Sequence, residues 1–229
     1  KKKAGHWEQE YIVSQEPILT LYKEDSQEIV EKIQKSLNIE KGPIIRAALF
    51  ENAEKKEKKL LLVIHHLVMD GLSWRILLEH LEMAYKQTIS GKEISLPQKT
   101  SSWHNWASAL KKYGQSLHSK SSFWQRKHES LYIDFDKGPN THEAAEELTF
   151  SLDRKETTLL LQHVPKIYDT QINDILLTAL VLAKGDWQGK YTIHVSLEGH
   201  GREPIDDQMD ISQTIGWFTS IFPVFLSIE

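Results

Sequence analysis

The stretch that decides the fold is His65-His66-Leu67-Val68-Met69-Asp70-Gly71-Leu72-Ser73-Trp74. It follows the apolar run Leu60-Leu61-Leu62-Val63-Ile64 and precedes a segment of helical spacing, Leu72 to Gln87. A run apolar at every position predicts a central strand covered on both faces. Strand, short polar loop and helix form the local order of α/β architecture, where reactive groups gather at strand ends. Side chains alternate along a strand, so at most one of His65 and His66 faces a given site. His66 shares its face with Ile64 and Leu62 and is the candidate; His65 is read as supporting. No metal centre is expected, because the two histidines diverge and no second carboxylate–histidine pair completes a ligand set.

On the N-terminal side, Asp25 to Asn38 predicts an amphipathic helix with Asp25 and Glu28 as a capping box. Ile44 to Phe50 predicts a strand, joined to the next by a solvated turn at Glu54-Lys55-Lys56-Glu57-Lys58-Lys59. In the helix from Leu72, the residues Trp74, Leu77, Leu78, Leu81 and Tyr85 form the expected buried stripe. Ser101 to Tyr113 and Phe123 to His128 predict further helices. Trp103, Trp106 and Trp124 are read there as core, since no basic residues surround them to make a base-stacking platform. Asp136 to Glu147 is the candidate linker, with Lys137-Gly138-Pro139-Asn140 at its centre. Beyond it, a strand (Glu147 to Leu152), a helix (Lys155 to Val164), a buried helix (Gln171 to Lys184, capped by Thr170) and a strand (Lys190 to Leu197) are expected. The organisation predicted is therefore two α/β lobes, 1–135 and 147–229, joined by 136–146.

Two more stretches carry candidate chemistry. Leu197-Glu198-Gly199-His200-Gly201-Arg202-Glu203 places a carboxylate at the end of a strand, on the more polar face with Thr192, His194 and Ser196. Glycines at 199 and 201 allow a sharp turn and a close backbone approach; a solvated turn is the plain alternative. Ser212 to Val224 is apolar, aromatic and centred on Gly216, which suits a core strand or loop.

Composition narrows the classes. The chain has 229 residues, no Cys and a net charge of -4 with His neutral. Disulfides, thiolate metal sites and cysteine nucleophiles are excluded, and there is no global basic surface for nucleic acid. No apolar run approaches the ~20 residues of a membrane helix, and no signal peptide opens the chain, so a cytoplasmic protein is expected.

Taken in order, HHLVMDGLSW (65–74), LEGHGRE (197–203) and ISQTIGWFTSIFPV (211–224) resemble the epimerization domains of nonribosomal peptide synthetases. These belong to the condensation-domain superfamily. HHxxxDG marks the superfamily; Ser73-Trp74, EGHGRE and GWFTSxxPV point to epimerization. Thr170 to Leu180 also looks like the family's helix, and Gln213 stands where the family would have Arg. Family members are roughly twice as long, so the expectation is a fragment, incomplete at both ends.

The resemblance implies a chloramphenicol-acetyltransferase-like two-lobed fold with mixed sheets and flanking helices. It implies inversion of the α-carbon of an aminoacyl or peptidyl thioester on the phosphopantetheine arm of a carrier protein. A peptidyl carrier protein domain and adjacent synthetase domains are then the expected partners, with no nucleic acid or membrane. No cofactor is expected to be bound by the chain itself. Inversion needs a proton removed from one face and delivered to the other, and donors at the developing enolate oxygen. Glu198 and His66 are assigned to these roles, with His66 as acid/base counterpart or enolate stabiliser. Asp70 is read as structural and needs a cation, for which Arg46 on the preceding strand is the candidate. Gly71, Ser73 and Trp74 are supporting; Gly199, His200, Arg202, Gly216 and Trp217 are candidates for the substrate or phosphopantetheine channel. His200 and Arg202 could orient Glu198 or meet the phosphate. The competing readings are an amide-forming condensation domain and a non-catalytic carrier-docking piece.

Overall fold

The computed structural model describes residues 2–3, 5–8, 17–52, 57–117, 137–139 and 141–228. The expected helix at Phe123 to His128, with Trp124, lies outside the described residues, as do Glu54 to Lys56, Asp136 and Asn140. The chain divides into two compact units. One comprises Lys1–Ser116 and His200–Ser220, the other Leu117–Gly199 and Ile221–Glu229. The division is not a single cut at 136–146: residues 200–220 belong with the first unit.

In the first unit, the short strands β1 (Lys2–Lys3) and β2 (His6–Trp7) pair antiparallel. A three-stranded sheet follows, in the order β3 (Leu19–Tyr22), β4 (Ile45–Asn52), β5 (Glu57–Ile64). β3 runs parallel to β4, with Leu19 opposite Ala47, and β4 runs antiparallel to β5, with Ala48 opposite Leu61. Among the described residues the central strand is β4, not the more apolar β5. Ala47 and Ala48 point to opposite faces and both are buried, whereas Leu60 on β5 is exposed.

Helix α1 (Gln27–Lys35) covers one face of this sheet. Its cap is Ser26, whose hydroxyl accepts from the Ile29 amide, and not Asp25, which pairs with Lys59 at 2.8 Å. Ile29 and Val30 lie one helical turn before Ile33, and the three pack with Ala48, Phe50 and Tyr22. The rings of Tyr22 and Phe50 stack at 5.4 Å.

After β5 the chain makes a short 3-10 turn, His66–Val68, and enters α2 (Gly71–Ile89). The buried residues of α2 are Ser73 and Ile76, while Leu78, Leu81 and Tyr85 of the expected stripe are exposed. Polar anchoring at the helix start, described below, sets the inward face. Helix α3 (Trp103–Ser116) buries Trp106.

In the second unit, Glu147 to Leu152 forms no strand; Leu148 and Phe150 are 85% and 89% exposed. Alternation alone cannot make a strand without a partner edge. Helix α4 (Arg154–Thr158) starts at a capping box of Asp153 and Glu156, continues through a π-turn (Leu159–His163) and leads into α5 (Val164–Tyr168). Helix α6 (Ile172–Gln188) is capped by Gln171 with Asp174, not by Thr170. Among its described residues only Val181 and Gly185 are buried, so the expected buried helix is largely exposed. Tyr191 packs so closely on Gly185 that a Cβ there would lie 2.1 Å from its ring. Strands β6 (Thr192–Gly199) and β7 (Ser220–Ser227) pair in a two-stranded sheet.

Truncating Phe50 to Ala removes the largest buried side chain of the α1–sheet core. It is expected to lower unfolding stability by about 3–5 kcal/mol in urea titration; an unchanged midpoint would contradict this packing.

Candidate functional site

Asp70 is buried and its carboxylate is used on both oxygens. One accepts from the Ser73 amide at 2.7 Å, which caps α2. The other accepts from the Phe218 amide at 2.9 Å. Its cation is Arg202, 3.7 Å away and equally buried, and not Arg46. Arg46 lies on β4 opposite Val63.

The Arg202 guanidinium donates to the carbonyls of Ile211 and Thr214, each at 2.9 Å, and to Ser73 Oγ at 3.0 Å. Its plane covers the Phe218 ring at 3.8 Å, and Phe218 meets Trp106 edge-on at 4.8 Å. Ser73 Oγ also donates to the Gly216 carbonyl at 2.8 Å and accepts from the Gly216 amide at 3.1 Å. One donation and two acceptances exhaust the hydroxyl. Thr214 Oγ1 donates to the Ser101 carbonyl at 2.6 Å, and Gln213 Oε1 lies 2.7 Å from His80 Nε2 on α2. Together these contacts fasten residues 202–218 to the start of α2 and to α3. Gly201 sits at φ +65°, and a Cβ there would fall 1.6 Å from the Phe218 carbonyl oxygen. A glycine is required at that crossing.

Burial pulls the Asp70 carboxyl upward, but the amides of Phe218 and Ser73 and the Arg202 charge outweigh it. The group is held below the usual carboxylate range. Burial draws the Arg202 guanidinium below its ordinary value, and Asp70 opposes that.

The two histidines are used differently. His65 Nδ1 accepts from the Leu67 amide at 3.2 Å, so one of its ring nitrogens holds the turn. The His66 ring is exposed and stacks on the indole of Trp217, with centroids 4.8 Å apart and planes at 29°. Trp217 is held in turn by its carbonyl, which accepts from Trp103 Nε1 at 2.8 Å. His200 is exposed; its Nδ1 accepts from the Arg202 amide at 2.9 Å and its Nε2 lies 3.4 Å from Glu203.

Among the expected channel residues, Arg202 is therefore a buried structural cation, committed to Asp70 and the 211–216 backbone. Gly71 opens α2 with nothing near its Cβ position and no positive φ, and nothing in the structure explains the glycine there. Trp74 is half-buried on α2. Glu198 and Gly199 close β6 in the second unit, and the Glu198 side chain is exposed. Sequence reading misses the parts played by Trp103 and Phe218. The demand of a buried carboxylate for a cation could have pointed to Arg202, which stands in the glycine-flanked motif itself.

Among the described residues no three His, Asp or Glu are grouped to hold a metal ion. Among them, too, no helix is long and apolar enough to cross a membrane.

The family model named Condensation domain matches residues 9–229. One of the linear gramicidin synthase proteins of Brevibacillus parabrevis is 46% identical over 205 residues, covering 88% of this chain and 4% of that protein. Tyrocidine synthase 2 of the same organism is 43% identical over 209 residues, covering 88% and 6%. The solved epimerization domain from the third module of tyrocidine synthetase B aligns with TM-score 0.76 at 39% identity, covering 91% of this chain and 49% of that one. The first condensation domain of the calcium-dependent antibiotic synthetase aligns with TM-score 0.59 at 15% identity, covering 92% and 50%, a likeness of fold alone. The fold is thus the chloramphenicol-acetyltransferase-like α/β fold, and the chain spans a small part of the curated relatives and about half of these solved domains.

The Asp70–Arg202 contact gives a pH signature. A carboxyl held low in the folded chain contributes stability that is complete above its unfolded value, about 4, and lost as pH falls through its folded value. The stability gap between the natural chain and Asp70→Asn is therefore expected to be largest at neutral pH and to shrink below pH ~4, in thermal unfolding across pH. A gap that stays constant to pH ~2 would contradict the assignment.

Proposed function

The chain belongs to the condensation-domain family, and from that premise we propose that it is an epimerization domain of a nonribosomal peptide synthetase. Its substrate is an aminoacyl or peptidyl thioester carried on the phosphopantetheine arm of a peptidyl carrier protein domain. The observation that carries this reading is Glu198, an exposed carboxylate at the end of β6 beside Gly199. Amide formation from a thioester and an amine needs no carboxylate there; inversion of an α-carbon needs a second proton-transfer group. The 39% identity to a solved epimerization domain supports the same reading. The family model and the synthetase relatives are compatible with either reaction.

In this reading the thioester makes the α-proton acidic, and Glu198 and His66 are each assigned to proton transfer at the α-carbon. The C–H bond breaks to leave an enolate, and a proton returned to the opposite face gives the inverted centre. His66 reaches the reaction as an exposed imidazole with its ring face on Trp217. It serves as the second acid/base group or donates to the enolate oxygen. Asp70, Ser73 and Arg202 act by holding the turn and the 202–218 segment. The chain binds no cofactor of its own, and the pantetheine arm arrives with the substrate.

The test is a synthetase module containing this chain, loaded with an L-aminoacyl thioester in deuterated water. Deuterium is expected at the α-carbon, with D-configured product on hydrolysis. Glu198→Gln is expected to lower exchange by ~10²-fold or more with the fold intact, and His66→Ala by a similar factor. Amide product on adding an acceptor, with no α-exchange, would replace this reading by condensation. Carrier binding with neither reaction would replace it by docking alone.

A further inference from the structure

His66 is an exposed side chain on a short turn, and a proton-transfer group must be held in a narrow range of orientations to work. A hydrogen bond to one ring nitrogen would hold it, as the Leu67 amide holds His65. That would commit one ring nitrogen and leave only the other for proton transfer. Stacking fixes the plane of the ring through its face and leaves both nitrogens free at the edge. The partner face is the indole of Trp217, at 4.8 Å and 29°.

A platform is useful only if it is rigid. The backbone around Trp217 is fastened at three successive residues. Gly216 exchanges two hydrogen bonds with Ser73 Oγ, Trp217 accepts from the Trp103 indole N–H, and Phe218 donates to Asp70. Gly216 lies so close to the Trp103 ring that a Cβ would meet its Cδ1 at 2.3 Å. Trp103 thus braces the platform by packing and by its N–H together. Every group named here lies within the first unit.

We infer that Trp217 is a positioning residue that sets the imidazole plane of His66 by stacking, with Trp103 as the brace that fixes Trp217. This rests on the reading of His66 as a group that acts on the substrate. It adds two residues, neither of which needs to touch the substrate. An aromatic face is what position 217 requires, so Phe can substitute and Leu cannot.

The experiment has two arms on the same variants. In the first, the imidazole C–H resonance of His66 is identified by its loss in His66→Ala, using the folded chain. It is expected upfield of an unstacked histidine, to return downfield in Trp217→Leu, and to stay upfield in Trp217→Phe. In the second, α-deuterium exchange is followed in the synthetase module. Trp217→Leu is expected to lower kcat by ~10- to 100-fold with KM unchanged, as for a misplaced reacting group. Trp217→Phe should recover most of that loss, and Trp103→Phe, which keeps a ring but loses the N–H, should fall between them. An unmoved His66 resonance in Trp217→Leu would overturn the inference. Equal losses of kcat in the Phe and Leu variants would do so as well. If Trp217→Leu does not fold, the Trp217→Phe and Trp103→Phe resonances and rates decide by the same criteria. If the natural module forms amide without α-exchange, the epimerase reading fails. The inference then stands or falls on the same variant order measured on amide formation.

Discussion

The buried pair of Asp70 and Arg202 is the contact on which the rest of the first unit depends. Both side chains are almost wholly removed from water. Such burial is tolerable only when each charge has its partner and the remaining hydrogen-bonding capacity is filled. The structure meets most of that demand by committing the carboxylate to two backbone amides and the guanidinium to two carbonyls and a hydroxyl, while the buried Arg202 Nε has no partner among the described residues. Removing one member would strand the other, at a cost of about 3–5 kcal/mol. The gain is connectivity: Phe218 is brought to Asp70 across 148 positions of sequence. A helix start and a distant loop segment meet at one carboxylate.

That connectivity decides what the histidine turn can do. Only five residues separate Ile64, the last of β5, from Asp70 fixed at the cap of α2. A turn so short, held at both ends, has little freedom. His65 commits a ring nitrogen to closing it. His66 is left outward-facing, against an indole that the same network fastens. Ser73 explains how a serine one turn into the helix matters to a site it does not enter. Its hydroxyl is shared between Arg202 and both backbone groups of Gly216.

The local order at His65 to Trp74 is legible because strand, turn and helix are written in nearby residues. So is the placement of Glu198 at a strand end. A buried carboxylate's need for a cation admits Arg202 as the partner of Asp70 but does not select it, because the pairing joins residues far apart in sequence and the nearer Arg46 satisfies the same electrostatic demand on paper. The inward face of α2 escapes for a related reason. The leucine stripe points one way, while Asp70 and Ser73, polar residues with buried partners, turn the helix another. Glu147 to Leu152 alternates as a strand does, yet strand formation depends on a neighbouring edge, which alternation does not encode. The more apolar of two strands looks central, but β4 is central because β3 lies alongside it, a matter of topology rather than composition.

Amide hydrogen exchange at Phe218 and Gly216 tests this network most directly. Both residues sit in a segment without helix or strand, where unanchored amides exchange fast. If Asp70 and Ser73 hold them as described, these two amides should exchange as slowly as those of β4. Replacing Arg202 by Met should speed both together. Exchange of the Phe218 amide in the natural chain at the rate of the exposed loop 204–208 would contradict the buried anchor on which the site is built.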